Sequence, residues 1–154
     1  PEAVRAYLDE LGLPRGDVRF DETRLRRLAV EALGALSDEE LAARAGVDPR
    51  LGPVLRGAHD LAEARAIAER LESPPAPAAT SSPETLERFR ELRAAAGDDL
   101  GKEQAKALIR ELKAVGGDLR ALRLALTGAE RGPELWAVLV ALPREAALER
   151  AATG

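Results

Sequence analysis

Residues 101–128 read GKEQAKALIRELKAVGGDLRALRLALTG. Ala105, Leu108, Ile109, Leu112 and Val115 recur at helical spacing, so they form one stripe along an α-helix. Gly116 and Gly117 stop that helix. Asp118 opens another, with Leu119, Leu122 and Leu126 on one side and Thr127-Gly128 at its end. Working outward, Glu130-Arg131-Gly132-Pro133 is a turn, and Glu134 to Leu142 reads as a further helix with Pro133 at its first position. Pro143 and Arg144 open a last short helix ending near Arg150. The expected fold class is all-α.

Composition points the same way across the 154 residues. Alanine occurs 31 times and leucine 25, whereas valine and isoleucine together number ten. The first two favour helices and the second two favour strands. There are 23 basic and 27 acidic residues, a formal net charge of −4, which excludes a polybasic nucleic-acid binder but not a local basic face. With no cysteine and one histidine, His59, the chain can build no disulfide, thiolate zinc site or two-histidine metal site. No apolar run approaches the roughly 18 residues of a membrane span. A cytoplasmic location is expected. The missing methionine and the opening Pro1 lead us to expect a piece of a longer protein.

The stretch 73–83, SPPAPAATSSP, carries four prolines and no charge, and reads as a linker. It separates a first helical bundle, 1–72, from a second, 84–154. The first has 11 basic and 15 acidic side chains and the second has 12 of each. In the first, Val4, Tyr7, Leu8 and Leu11 mark a short helix stopped by Gly12 and Pro14. Asp21 is the expected cap of a helix bearing Leu25, Leu28, Val30 and Leu33 on one side. Ser37 and Glu40 form a capping box for a helix ending at Gly46. Pro49, Gly52, Pro53 and Gly57 break the next stretch, and Leu61, Ala64, Ala68 and Leu71 form one more helix. After the linker, Leu86, Phe89, Leu92 and Ala96 share a face.

Nothing here has the pattern of a catalytic site. There is no strand followed by a Gly-rich phosphate loop, and His59 is expected to be a surface or capping residue. The run Leu41 to Val47 resembles the start of a DNA-binding helix-turn-helix. Its second helix would carry Gly52 and Pro53 at its centre, so DNA binding is not expected. Arg15, Arg19, Arg24, Arg26 and Arg27 lie among Asp17, Asp21 and Glu22, and internal ion pairing explains them. Lys102, Lys106, Arg110 and Lys113 share one face of the 101–115 helix, followed by Arg120, Arg123 and Arg131. A solvated face with Glu103 and Glu111 is the simpler reading. A track for an RNA backbone is the functional one.

The segment Leu122-Arg123-Leu124-Ala125-Leu126-Thr127-Gly128, then Gly132-Pro133-Glu134-Leu135, resembles the motif near the C-terminus of bacterial glutamyl-tRNA synthetases. The helix start Leu36-Ser37-Asp38-Glu39-Glu40-Leu41 and the upstream Phe20-Asp21 are similar to the stretch beyond that family's signature lysine loop. The resemblance implies two anticodon-binding helix bundles of the class I synthetase type. It departs from the family where Pro143-Arg144-Glu145 stands in place of a Gly-Lys-Glu start.

The same resemblance implies that Arg123, Thr127, Arg131, Pro133 and Leu135 contact the anticodon loop, with Arg110 and Lys113 on its backbone. The partner would be the anticodon arm of glutamate tRNA, and the fragment would be a monomer. It implies no catalytic residue or metal in this chain. The family's His-x-Gly-His and Lys-Met-Ser-Lys-Ser signatures cannot occur with one histidine and no methionine. ATP and magnesium would belong to a separate catalytic domain. The alternative from another class is a helical protein-interaction or regulatory module.

Overall fold

The computed structural model describes residues 2–11, 21–74 and 82–153, and every regular element among them is helical. In order these are α1 (Glu2–Leu11), α2 (Glu22–Gly34), α3 (Asp38–Ala45), the 3-10 helix η1 (Pro49–Gly57) and α4 (Leu61–Glu72). The second half gives α5 (Pro83–Ala95), α6 (Lys102–Ala114), α7 (Leu119–Thr127), α8 (Leu135–Ala141) and α9 (Arg144–Thr153). The all-α expectation holds. Gly12, Pro14, Arg15, Asp17, Arg19, Phe20 and residues 75–81 of the expected linker lie outside the described residues.

Local chemistry sets most boundaries. The Asp21 carboxylate accepts from Arg24 N at 3.0 Å and starts α2. Glu40 N donates to Ser37 Oγ at 3.1 Å while Ser37 N donates to Glu40 Oε2 at 2.8 Å, so the capping box opens α3 as expected. Those bonds hold the Glu40 carboxyl below its ordinary range, the Ser37 backbone N–H being the main cause. At the start of α4 the Asp60 carboxylate accepts from Glu63 N at 2.8 Å. His59 is a surface residue there, its ring Nδ1 2.7 Å from Glu63 Oε2.

The last helix runs on to Thr153 rather than ending near Arg150, and two other places differ from the sequence reading. Helix α8 begins at Leu135, so Pro133 lies before the helix rather than at its first position. The Pro49–Gly57 stretch is a 3-10 run with Leu51, Gly52, Val54 and Leu55 buried. A Cβ at position 52 would overlap the Asp38 carbonyl, so η1 lies backbone-to-backbone on the start of α3. This segment offers no exposed α-helix for a DNA groove. The stripes also end sooner than their periodicity suggests. Val30 on α2 and Val115 after α6 are exposed, and α2 has no fully buried residue.

Helices α3, η1 and α4 pack together, as do α5, α6, α7 and α9, and η1 rests on α8. Buried side chains from Leu41 to Ala151 form one continuous core drawn from both sides of the 73–83 stretch. Phe89, Leu112, Leu122, Leu126, Val138 and Leu139 are its largest fully enclosed apolar members in the second half. The contact of η1 with α8 brings the end of the first half beside the turn between α7 and α8.

Candidate nucleic-acid interface

The turn between α7 and α8 is built from Asp118 onward. The Asp118 carboxylate accepts from Arg120 N at 2.9 Å and Ala121 N at 3.0 Å, and from Ser82 Oγ at 3.3 Å. Its own N–H donates to Thr85 Oγ1 at 2.9 Å. Donation from the Ala121 backbone, more than any other cause, holds this carboxyl below the usual range. The start of α7 is thereby fixed to the start of α5.

Nine residues later Gly128, at φ 68°, ends α7 and donates its N–H to Leu124 O at 2.8 Å. That left-handed conformation is open to glycine at little steric cost. The Thr127 hydroxyl stays inside the turn, 2.8 Å from Arg123 O and 3.1 Å from Ala129 O, and it accepts from Ala129 N at 3.3 Å. Arg123 Nη1 donates to the Pro133 carbonyl, and Arg120 pairs with Glu130. Two arginines of α7 therefore clamp the far side of the turn.

Arg131 is left exposed, with no ion-pair partner among the described residues, between two depressions that both include it. One is an open basin shared with Leu119, Arg120, Arg123 and Glu130. The other is a cavity of about 320 Å³ between the two halves of the chain. Thr127, Ala129, Arg131, Gly132 and Pro133 form its turn side, with Val54 and Gly57 of η1 and Glu63, Ile67, Arg70 and Leu71 of α4 opposite. Buried Val54, Leu71 and Val138 give it an apolar wall, while exposed Arg70 and Arg131 outnumber exposed Glu63 and leave its surface side net positive. Such a cavity suits a flat, partly apolar group attached to an anion.

A basic ridge begins nearby on α6. Lys102 Nζ lies 4.7 Å and Lys106 Nζ 5.8 Å from the centre of the Trp136 ring, at the start of α8. Glu111 is engaged by Arg88 of α5 at 3.0 Å, and Glu103 by Lys106 at 3.6 Å. Arg110 and Lys113 are exposed and have no ion-pair partner among the described residues.

Of the residues singled out from the sequence, Thr127, Arg131 and Pro133 meet at the cavity. Arg123 stands behind them and holds the turn. Leu135 is only 6% exposed and its side chain belongs to the core. Arg110 and Lys113 lie apart, on α6. Glu63 and Arg70 were not anticipated, because nothing in the spacing of α4 signals which later segment it faces. In the first half, Arg26 pairs with Glu22 at 2.6 Å and Arg27 with Glu31 at 3.6 Å, the internal pairing expected there. Among the described residues no group of three or more His, Cys, Asp or Glu is gathered as a metal would need. No described helix is long and apolar enough to cross a membrane.

No protein-family model matches the sequence, and no curated protein matches it. Among solved structures, the chain is similar to a glutamate tRNA ligase from Elizabethkingia meningosepticum CCUG26117, determined in complex with its amino acid. The TM-score is 0.63 at 19% identity, over 90% of this chain and 33% of that one. The two share a fold. This chain spans about a third of that ligase chain.

Proposed function

We propose that this chain is the anticodon-binding part of a glutamate–tRNA ligase and grips the anticodon arm of glutamate tRNA. The observation that carries the reading is the meeting of the motif residues Thr127, Arg131 and Pro133 at a cavity with an apolar wall and a net positive surface side. The shared fold with a glutamate tRNA ligase supports it. Unpaired bases of an RNA loop are recognised by stacking and hydrogen bonds once splayed from their neighbours, and phosphates by exposed cations. Arg131 would meet the loop directly, and Arg110 and Lys113 would follow its backbone along α6. Arg123 and the buried Leu135 would shape the turn. Aminoacylation, with its ATP, magnesium and glutamate, would be the work of a separate catalytic domain, in the cytoplasm, and this part would act as a monomer.

The alternative, a protein-docking module, draws on exposed Val4 and Leu8 of α1 and Val30 of α2. Salt separates the two. Binding of glutamate tRNA to the 154-residue chain should weaken steeply with rising salt. Arg131→Ala should reduce the slope of log affinity against log salt by about one, and the Arg110→Ala, Lys113→Ala pair by about two. Binding that is indifferent to salt and to all three substitutions would reject the reading.

A further inference from the structure

Arg150 of α9 reaches two helix ends at once. Its Nη1 donates to Leu126 O, in the last turn of α7, at 3.0 Å, and its Nη2 to Glu72 O, the last residue of α4, at 3.4 Å. The final carbonyls of a helix lack partners within it and carry its negative dipole end, so a cation shared by two such ends attracts both. The side chain is half-buried, and that burial pushes its pKa down. The two ends it joins flank the cavity, with Arg70 and Leu71 directly before Glu72 and Thr127 directly after Leu126. No other described side chain bonds the end of α4 to α7.

We propose that Arg150 is a positioning residue that sets the spacing between α4 and the α7–α8 turn, and hence the width of the cavity between them. Its effect on RNA affinity rests on the function proposed above; its effect on spacing does not. The planar guanidinium matters because it offers two donors in a fixed fork, whereas a lysine ammonium presents a single charged centre on a flexible stem. Arg144, six residues earlier on α9, provides the control. It anchors the same helix to a different place, donating to Ala94 O at 2.6 Å and pairing with Asp98 at 3.5 Å.

The test uses the full chain, whose lack of cysteine allows spin labels to be placed through Glu69→Cys on α4 and Leu124→Cys on α7, neither of which takes part in the clamps of the turn. Distance distributions between the labels would be measured in the parent and in Arg150→Ala, Arg150→Lys and Arg144→Ala backgrounds. Unlabelled versions would be titrated with glutamate tRNA. The distribution should broaden in both Arg150 variants and stay as in the parent for Arg144→Ala. The affinity should fall roughly tenfold with Arg150 alone, a coupling of ordinary size. A distribution in Arg150→Ala identical to that in Arg144→Ala would overturn the proposal, as would full retention of spacing by Arg150→Lys. If the parent fails to bind tRNA while the Arg150 variants broaden, the brace stands and the tRNA reading falls.

Discussion

Arg93 is the bulkiest fully buried side chain among the described residues. It is fully buried in α5, with Nη1 on Gly97 O and Nη2 on Asp98 O, both at 2.7 Å. Its Nε has no partner among the described residues, and burial, reinforced by Arg144, pushes its pKa down. The guanidinium nonetheless remains charged, since arginine does not lose its proton in proteins. Its task is to turn the α5–α6 connection under the helix. Arg93→Ala leaves two carbonyls without a donor and a void the size of the side chain. The expected loss is on the order of 3 kcal/mol, read from the urea midpoint at constant slope. A loss below about 1 kcal/mol would mean the connection closes without it. Nothing in the sequence distinguished Arg93 from the chain's other arginines, because a buried arginine and a surface one occupy the same helical register.

Among the elements, α7 links stability to the candidate interface, because Asp118 caps its start and Thr127 is its last residue. The folded carboxyl of Asp118 has a lower pKa than an unfolded one. Its contribution is therefore complete above the ordinary carboxylate range and is lost as the pH falls through the folded value. Asp118→Ala should destabilise by about 1 kcal/mol at neutral pH, as loss of a helix cap does. The gap between wild type and variant in thermal melts should narrow steadily on acidification. A gap that is constant with pH would deny the carboxylate its role.

The helix ends were the most legible features, because Asp21, Ser37 with Glu40, Asp118 and Gly128 act through neighbours within a few residues. The start of α8 was not legible in the same way. Pro133 suits a first helical position, but Arg123, ten residues earlier, takes its carbonyl, and Glu134 O becomes the first acceptor, from Ala137 N at 2.9 Å. The 3-10 form of η1 likewise depends on Gly52 meeting the Asp38 carbonyl. Local chemistry is written in the sequence; competition from a distant side chain is not.

At the scale of the whole molecule, the chain folds its two halves onto one core, and the candidate cavity exists only where they meet. Residues 122–135 carried the resemblance, and Thr127, Arg131 and Pro133 were accessible from them. The opposing wall of Val54, Ile67, Arg70 and Leu71 was not, since an amphipathic helix reveals its buried face without naming what covers it. The turn also has a built-in reporter. Trp136 is the only tryptophan in the chain, and it stands at the start of α8 beside Lys102 and Lys106.

The most direct measurement is a titration of the 154-residue chain, followed by Trp136 fluorescence, with glutamate tRNA and with the same tRNA carrying an altered anticodon. Both would be run at low salt and then at physiological salt, where nonspecific phosphate binding is weak. The native anticodon should bind more tightly, and Arg131→Ala should weaken binding to it. Equal affinity for the two tRNAs, or no binding of either even at low salt, would contradict anticodon recognition by this chain.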